Sequence, residues 1–251
     1  MKSSRSESPT PYSRHVPPEI EHRIEPRDDG RAAKSRPAAT VILARESSSS
    51  SCGLDVLMLK RSSVGAFADM WVFPGGRVDD ADAGSTELEC AASAAVREAH
   101  EEVGVRVIRE SLVTWSHWTP PLMAPVRFTT WFFVAPWGGD EVRIDRHEIV
   151  DHRWMAPDAA LAAGLPMAPP TIVTLHELVE CADPARVWSG RTEPPAYVTR
   201  PSRTADGTSV LLWNGDAGYD SGDADLVGPR NRLVMLDGFG GQEWRYERRA
   251  D

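Results

Sequence analysis

Three glutamates, Glu98, Glu101 and Glu102, crowd into Arg97-Glu98-Ala99-His100-Glu101-Glu102-Val103-Gly104. On a helix each residue turns the chain by about 100°, so positions i, i+3 and i+4 share a face. The three carboxylates then converge on one side. Like charges at that spacing repel, and the helix loses stability unless something positive sits among them. Arg97 neutralises only part of the charge. The remaining oxygens suit a hard divalent cation, Mg²⁺ or Mn²⁺, which takes a few carboxylates and leaves its other positions to water and substrate phosphate. A solvated acidic helix face is the other reading of such a run, so the flanking residues decide.

The run needs a helix to carry it, and Glu87 to Val103 supplies one. Ala92, Ala95, Val96 and Ala99 form a stripe of small side chains suited to close packing on a sheet. Gly104 stands at the expected C-cap. Upstream, Trp71-Val72-Phe73 reads as a strand and Pro74-Gly75-Gly76 as a turn. The paired glycines allow φ > 0 and a close backbone approach to a ligand. Asp79, Asp80 and Asp82 follow, read as an acidic exposed loop, with a second cation site as the alternative.

The other elements are read in chain order. Ala38–Ala44 is a nearly continuous apolar run, as expected of a buried strand. Glu46 and Ser47–Ser51 make a turn, and Asp55–Arg61 returns as the second arm of a hairpin. Arg61, ending that strand, faces either phosphate or solvent. Beyond the helix, Val105–Ile108 and Leu112–Trp115 look strand-like, and Trp118–Pro121 looks like a loop. Val126–Val134, dense in β-branched and aromatic residues, is the strongest strand of the chain. Within it, Arg127 either meets substrate phosphate or pairs with a carboxylate at the rim. Asp145–Glu148 is a loop entering a strand that runs to Trp154. Pro157 opens a short helix that Gly164 stops. Pro169–Val179 is an amphipathic helix with an Ile172, Leu175 and Val179 stripe. Farther on, Ser209–Trp213 is a strand and Asn214–Gly228 a loop rich in Gly and Asp. Arg232–Leu236 and Glu243–Tyr246 make a last hairpin around Gly238–Gly241.

Whole-chain properties narrow the function. The 251 residues are 41% hydrophobic and 26% charged, enough for one sizeable core plus extensions. A net charge of −9 argues against non-specific nucleic-acid binding, which needs a basic surface. It leaves a small phosphorylated substrate open, because a bound cation reverses the local field. No run approaches a membrane span, and the N-terminus lacks the apolar core of a secretory signal. Three scattered cysteines read as reduced thiols of a cytoplasmic protein. Met1–Arg36, rich in Ser, Pro, Arg and Glu, reads as a disordered tail.

The acidic helix and its approach resemble the Nudix hydrolase signature, G-x5-E-x7-R-E-U-x-E-E-x-G-U, where U is a bulky aliphatic. Glu89 stands at the required distance before Arg97, and Glu98, Glu101, Glu102, Gly104 and Val105 fall in place. There are two departures. The run Arg77–Leu88 is longer than the family norm, and Ala99 replaces the usual larger aliphatic. Trp118-Thr119-Pro120 with Pro125-Val126-Arg127-Phe128-Thr129-Thr130-Trp131-Phe132-Phe133 resembles the branch that includes peroxisomal coenzyme A diphosphatase-like enzymes. That branch's histidine and glutamine before the box are missing from Arg61–Gly76. Glu148-Ile149 with Trp154 matches a further family pattern.

The resemblance implies an α+β fold, an α/β/α sandwich with a mixed central sheet over residues 37–182, and the strands read beyond it, less typical of the family, make a β-rich C-terminal extension, 183–251, packed on it. The extension would cap the active site or form a homodimer interface. The implied activity is divalent-metal-dependent hydrolysis of a phosphoanhydride bond in a nucleoside-diphosphate-linked substrate. Coenzyme A and acyl-coenzyme A are candidates, with ADP-ribose, NADH and nucleotide sugars as alternatives. Gly76, Glu98, Glu101 and Glu102 are the implied metal ligands. Glu101 and Glu148 are candidate general bases. Arg97 would orient the cluster through Glu89 or Glu101, with Glu89 structural, and Arg61 and Arg127 would meet substrate. Two rivals stand beside this reading. One is a Nudix domain that binds a nucleotide without cleaving it. The other is a hydrolase of an isoprenoid diphosphate, which an apolar pocket would favour.

Overall fold

The computed structural model describes residues 34–65, 67–124, 126–236 and 243–250. Most of the expected tail and the expected Gly238–Gly241 turn lie outside them. Among the described residues, two sheets and four helices follow one another. The first strands are β1 (Arg36–Glu46), β2 (Leu54–Arg61), β3 (Trp71–Val72) and β4 (Gly75–Arg77), followed by helix α1 (Glu87–Val103). Then come β5 (Val113–Thr119), β6 (Phe128–Pro136) and β7 (Ile149–Met155), and the helices α2 (Pro157–Ala162), α3 (Pro169–Cys181) and α4 (Pro184–Ser189). Five strands complete the chain: β8 (Ala196–Val198), β9 (Arg200–Arg203), β10 (Ser209–Leu212), β11 (Arg230–Met235) and β12 (Trp244–Arg249).

The large sheet runs β3-β2-β1-β6-β5-β8, with β4 added to β1 and β7 to β2. It is mixed: β1–β6 and β5–β8 are parallel, and the remaining pairs are antiparallel. Both faces are covered, which explains why its central strands read as unbroken apolar runs. Alternation along β1 sends Val41 and Leu43 toward α1, and Ile42 and Ala44 toward α3. In β6, Trp131, Phe133 and Ala135 face α1, while Phe132 and Val134 face the other way. The expected α/β/α sandwich with its C-terminal sheet is therefore the observed architecture.

The second sheet, β12-β11-β10-β9, is antiparallel throughout. It is continuous with the α3 side of the core, where Leu211, Trp213, Leu233 and Met235 pack with Trp118 and Tyr197. The residue range assigned to the extension contributes β8 to the large sheet as well. Among the described residues, no helix is long and apolar enough to cross a membrane.

Some local expectations fail. Val105–Ile108 is extended but joins no ladder, and a 3-10 turn follows at Arg109–Ser111. Its alternating valines, Val105 and Val107, are buried in the α1 core instead. Strand β5 continues through Trp118 and Thr119, where a loop was expected. Helix α3 opens with Pro169 and Pro170 after Ala168, which stands at the N-cap.

Candidate active site

Helix α1 is fixed at both ends. Thr86 is the N-cap, its hydroxyl accepting the Glu89 amide at 3.2 Å. Glu89 turns back to accept the Ser85 amide at 2.5 Å, a variation on the capping box. Glu89 is thus bound into the helix start and makes no described contact with Arg97. Gly104 ends the helix at φ 69°, with its N–H on the carbonyls of Ala99 and His100. The small-residue face is Ala91, Ala94, Ala95 and Ala99. Ala92 and Val96, expected within it, are only partly buried at its margin.

Arg97 organises the charged side. Its guanidinium makes a bidentate pair with Asp82, both N–O distances being 3.0 Å. It also donates to the Arg77 carbonyl at 2.9 Å, and to Glu98 and Glu101 at 2.8 Å each. Of the two anchors expected for Arg97, Glu101 is present and Glu89 is not, because Glu89 is engaged at the helix cap. The main anchor is Asp82, which sequence reading placed on an exposed loop. Its side chain is 4% exposed and accepts the Asp79 amide at 2.8 Å. Burial alone would raise the Asp82 carboxyl pKa, but the Arg97 and Asp79 hydrogen bonds outweigh it and hold it below its ordinary value. Asp82 raises Arg97 in return, with Glu98 and Glu101 adding to the effect.

Glu102 is the deepest of the three glutamates. It accepts the Gly75 amide at 3.0 Å and lies 3.5 Å from Arg61. Burial pushes its carboxyl pKa up to about 8; the Gly75 amide opposes the rise, and the charge of Glu98 adds to it. Burial also raises Glu98, against the pull of Arg97. The paired glycines are required here by space. Neither has a positive φ, but a Cβ on Gly75 would strike the Ala39 carbonyl, and one on Gly76 the Glu98 carboxylate. Arg61 bridges outward to Glu148 at 2.7 Å. Glu148 sits on a turn that Asp145 stabilises by accepting the amides of His147, Glu148 and Ile149.

These groups open on one cavity of about 640 Å³. It brings together Gly76, Arg97, Glu98, Glu101, Glu102, Arg61 and Glu148. Glu89 and Arg127 do not line it. Alternation along the chain gives the cavity Val126 and Phe128, while Arg127 between them donates to the Pro120 carbonyl at 3.4 Å. The expectation that Arg127 meets substrate phosphate therefore has no geometric support. The C-terminal region adds Thr199 and Leu211 to the wall, a contribution without a local sequence signal.

The donor set is one of hard oxygens. Among the described residues, no three His, Cys, Asp or Glu side chains form a ready-made metal cage. A magnesium-like ion needs only one or two carboxylates, with water and phosphate completing its shell. Glu102, buried beside Glu98, is a carboxylate whose charged form a cation would stabilise. The residues fit such an ion.

Comparison with known proteins agrees with this geometry. A family model described as NUDIX domain matches residues 34–175. No curated protein matches the chain. Among solved structures, a Nudix hydrolase from Alicyclobacillus acidocaldarius aligns with a TM-score of 0.57 at 22% identity, over 66% of this chain and 100% of that one. A MutT Nudix hydrolase from Burkholderia pseudomallei gives 0.45 at 19% identity, over 57% and 98%. The Nudix domain of Shewanella oneidensis NrtR, complexed with ADP ribose, gives 0.47 at 16% identity, over 67% and 95%. At 22% identity and a TM-score of 0.57, the likeness to the first of these is one of fold. The family model, in contrast, spans more than half of the chain and includes all of α1 with its glutamates, so the chain belongs to the Nudix family as a Nudix-type hydrolase.

Proposed function

We propose that the chain hydrolyses a phosphoanhydride bond in a small diphosphate-linked substrate, using Mg²⁺ or Mn²⁺. The observation that carries this reading is the buried Glu102 carboxylate, set beside Glu98 and Arg61 in the cavity that Gly75 and Gly76 border. Glu98 and Glu102 would hold the cation, and Glu101 stands at the same rim. When bound, the ion neutralises phosphate oxygens and makes a water more acidic. Arg61, which lines the cavity and pairs with Glu148 at 2.7 Å, would bind a phosphate oxygen. Water oxygen bonds to one phosphorus, the bridging P–O bond breaks, and the bridging oxygen departs on the other phosphate. The water's protons end on the two products. Glu101 and Glu148, the two more exposed carboxylates, are the candidates to take the first proton, and separate E101Q and E148Q pH profiles assign it.

The test is product release from coenzyme A, acyl-coenzyme A, ADP-ribose, NADH, a nucleotide sugar and a prenyl diphosphate, each with Mg²⁺, Mn²⁺ and chelator. Metal-dependent cleavage of at least one is expected. Cleavage of none under either metal would sink the reading.

Asp82 provides a second test. Asp82→Asn keeps the shape but weakens the hold on Arg97, and metal-dependent turnover is expected to fall about 10–100-fold, as when an outer partner of a metal ligand is lost. Asp80→Asn, at an exposed position in the same loop, is expected to leave turnover unchanged. Equal effects from the two would show that Asp82 positions nothing.

A further inference from the structure

The cavity has two chemically different ends. One carries the arginines and glutamates already described. The other is closed by Trp118 and Phe132 of the large sheet, Pro120 and Pro121 after β5, and Leu211 of β10. Pro169 and Pro170, the first two residues of α3, complete that wall. A helix start normally presents free amides to an anion. Here the two prolines have no N–H to present, and the Thr171 amide is bonded to the Ala168 carbonyl.

Three polar side chains at this end are engaged within the fold. Trp118 donates its indole N–H to Ser116 at 2.9 Å. Thr199 accepts the Trp213 indole N–H at 3.0 Å, and Thr130 donates to the Phe128 carbonyl at 3.3 Å. The aromatic faces are covered too. Trp118 stacks on Tyr197 with centroids 4.1 Å apart and is only 2% exposed, so it offers no free face to a base. At the mouth, apolar surface continues outward. Phe67 and Val126 line the cavity while exposed by about half, and Val64 and Met123 are exposed in the same two loops. Phe67 is held at φ 60°, a conformation disfavoured for a residue with a Cβ. Exposed apolar residues gathered at one cavity mark a binding surface more than scattered ones do.

We infer that the substrate's diphosphate carries an apolar chain, which the end of the cavity lined by Pro120, Pro121, Val126, Phe128, Pro169 and Pro170 receives. The inference rests on the diphosphate hydrolase reading and narrows its substrate class. An apolar chain on a diphosphate has two sources: a prenyl-type alcohol, or an acyl chain on a nucleoside-diphosphate carrier.

The experiment measures kcat/KM with Mg²⁺ for five-, ten- and fifteen-carbon prenyl diphosphates, for short- to medium-chain acyl-coenzyme A thioesters, and for ADP-ribose as the polar control. Alongside, calorimetry in chelator compares decyl phosphate with methyl phosphate. Each methylene buried corresponds to about fourfold. We expect kcat/KM to rise at least about tenfold with chain length in one series, and Phe67→Ser to flatten that rise. The series that responds identifies the source. Metal-dependent cleavage that is best for ADP-ribose and indifferent to chain length overturns the inference and leaves the hydrolase reading intact. No cleavage, with decyl phosphate bound at least about tenfold more tightly than methyl phosphate, overturns the hydrolase reading and supports the apolar site. No cleavage and no preference overturns both.

Discussion

Replacing Glu102 by glutamine is expected to cut turnover about a thousandfold and, in metal-free buffer near pH 8, to raise the unfolding temperature. The activity loss follows from removing the buried carboxylate that would hold the cation. A bound ion contributes several kcal/mol to the transition state, and about 4 kcal/mol is a factor of a thousand. The stability gain has the opposite origin. Burial raises the Glu102 carboxyl from 4.5 in its ordinary state to about 8 in the fold. A carboxyl whose folded pKa lies above its unfolded value favours folding while protonated. Its contribution is complete below about pH 4.5 and is lost as pH rises through about 8. The metal-free wild-type protein should therefore lose stability over that window, and a divalent cation should restore it. Glutamine cannot ionise, so the variant escapes the loss. Each pKa unit of displacement is about 1.4 kcal/mol, and a protein of this size shifts by about 2–4 °C per kcal/mol. Several degrees are at stake. Thermal melts of both proteins in chelator and in Mg²⁺, from about pH 5.5 to pH 8.5, read the effect. The account of Glu102 fails if the temperature offset between variant and wild type in chelator does not change with pH. It also fails if the variant keeps more than about a tenth of the turnover.

The carboxylates of α1 were legible in the sequence because helical spacing alone puts Glu98, Glu101 and Glu102 near one another. The cap at Thr86 and the stop at Gly104 fix the register that does so. Asp82 was not legible. It sits among Asp79, Asp80 and Asp82 on a loop without periodicity, and nothing local says which of the three turns back beneath Arg97. Spacing also left open whether Glu89 or Glu101 anchors Arg97, and nothing local showed that Glu89 joins the cap of the helix start.

The same limit explains the strands. Long apolar runs such as β1 and β6 announce themselves because both of their faces are buried. Three-residue β8 carries no period at all, and its parallel pairing with β5 is set by tertiary contact. Val105–Ile108 shows the converse case. Its alternation satisfies one apolar face, but among the described residues no strand pairs with it. The apolar wall of the cavity was hidden for a third reason. It is assembled from β5, β6, the start of α3 and β10, so no one segment shows it.

Glu177 offers the largest expected effect on stability, and it bears on whether the C-terminal region belongs to the catalytic unit. Its side chain is fully buried on α3. It accepts hydrogen bonds from Trp115 of β5 at 2.9 Å and Tyr197 of β8 at 2.5 Å. Arg191 lies at 3.0 Å and Arg248 of β12 at 3.5 Å, and the Arg191 guanidinium covers the Trp115 ring at 3.9 Å. One carboxylate thus joins α3 to the large sheet and to the second sheet. Glu177→Ala would leave the Arg191 charge without its buried partner and strand the Trp115 and Tyr197 donors. Breaking a buried pair from one side costs about 3–5 kcal/mol. Glu177→Gln keeps an acceptor and should cost less, about 1–3 kcal/mol. Denaturant melts of both variants give these values, and limited proteolysis shows where the loss falls. If β9–β12 is integral to the site, the alanine variant should become sensitive to cleavage after Arg203. It should also lose activity in step, because Thr199 and Leu211 wall the cavity. An alanine variant that melts with the wild type, or that sheds the second sheet while keeping full turnover, would show that the catalytic unit ends before this network.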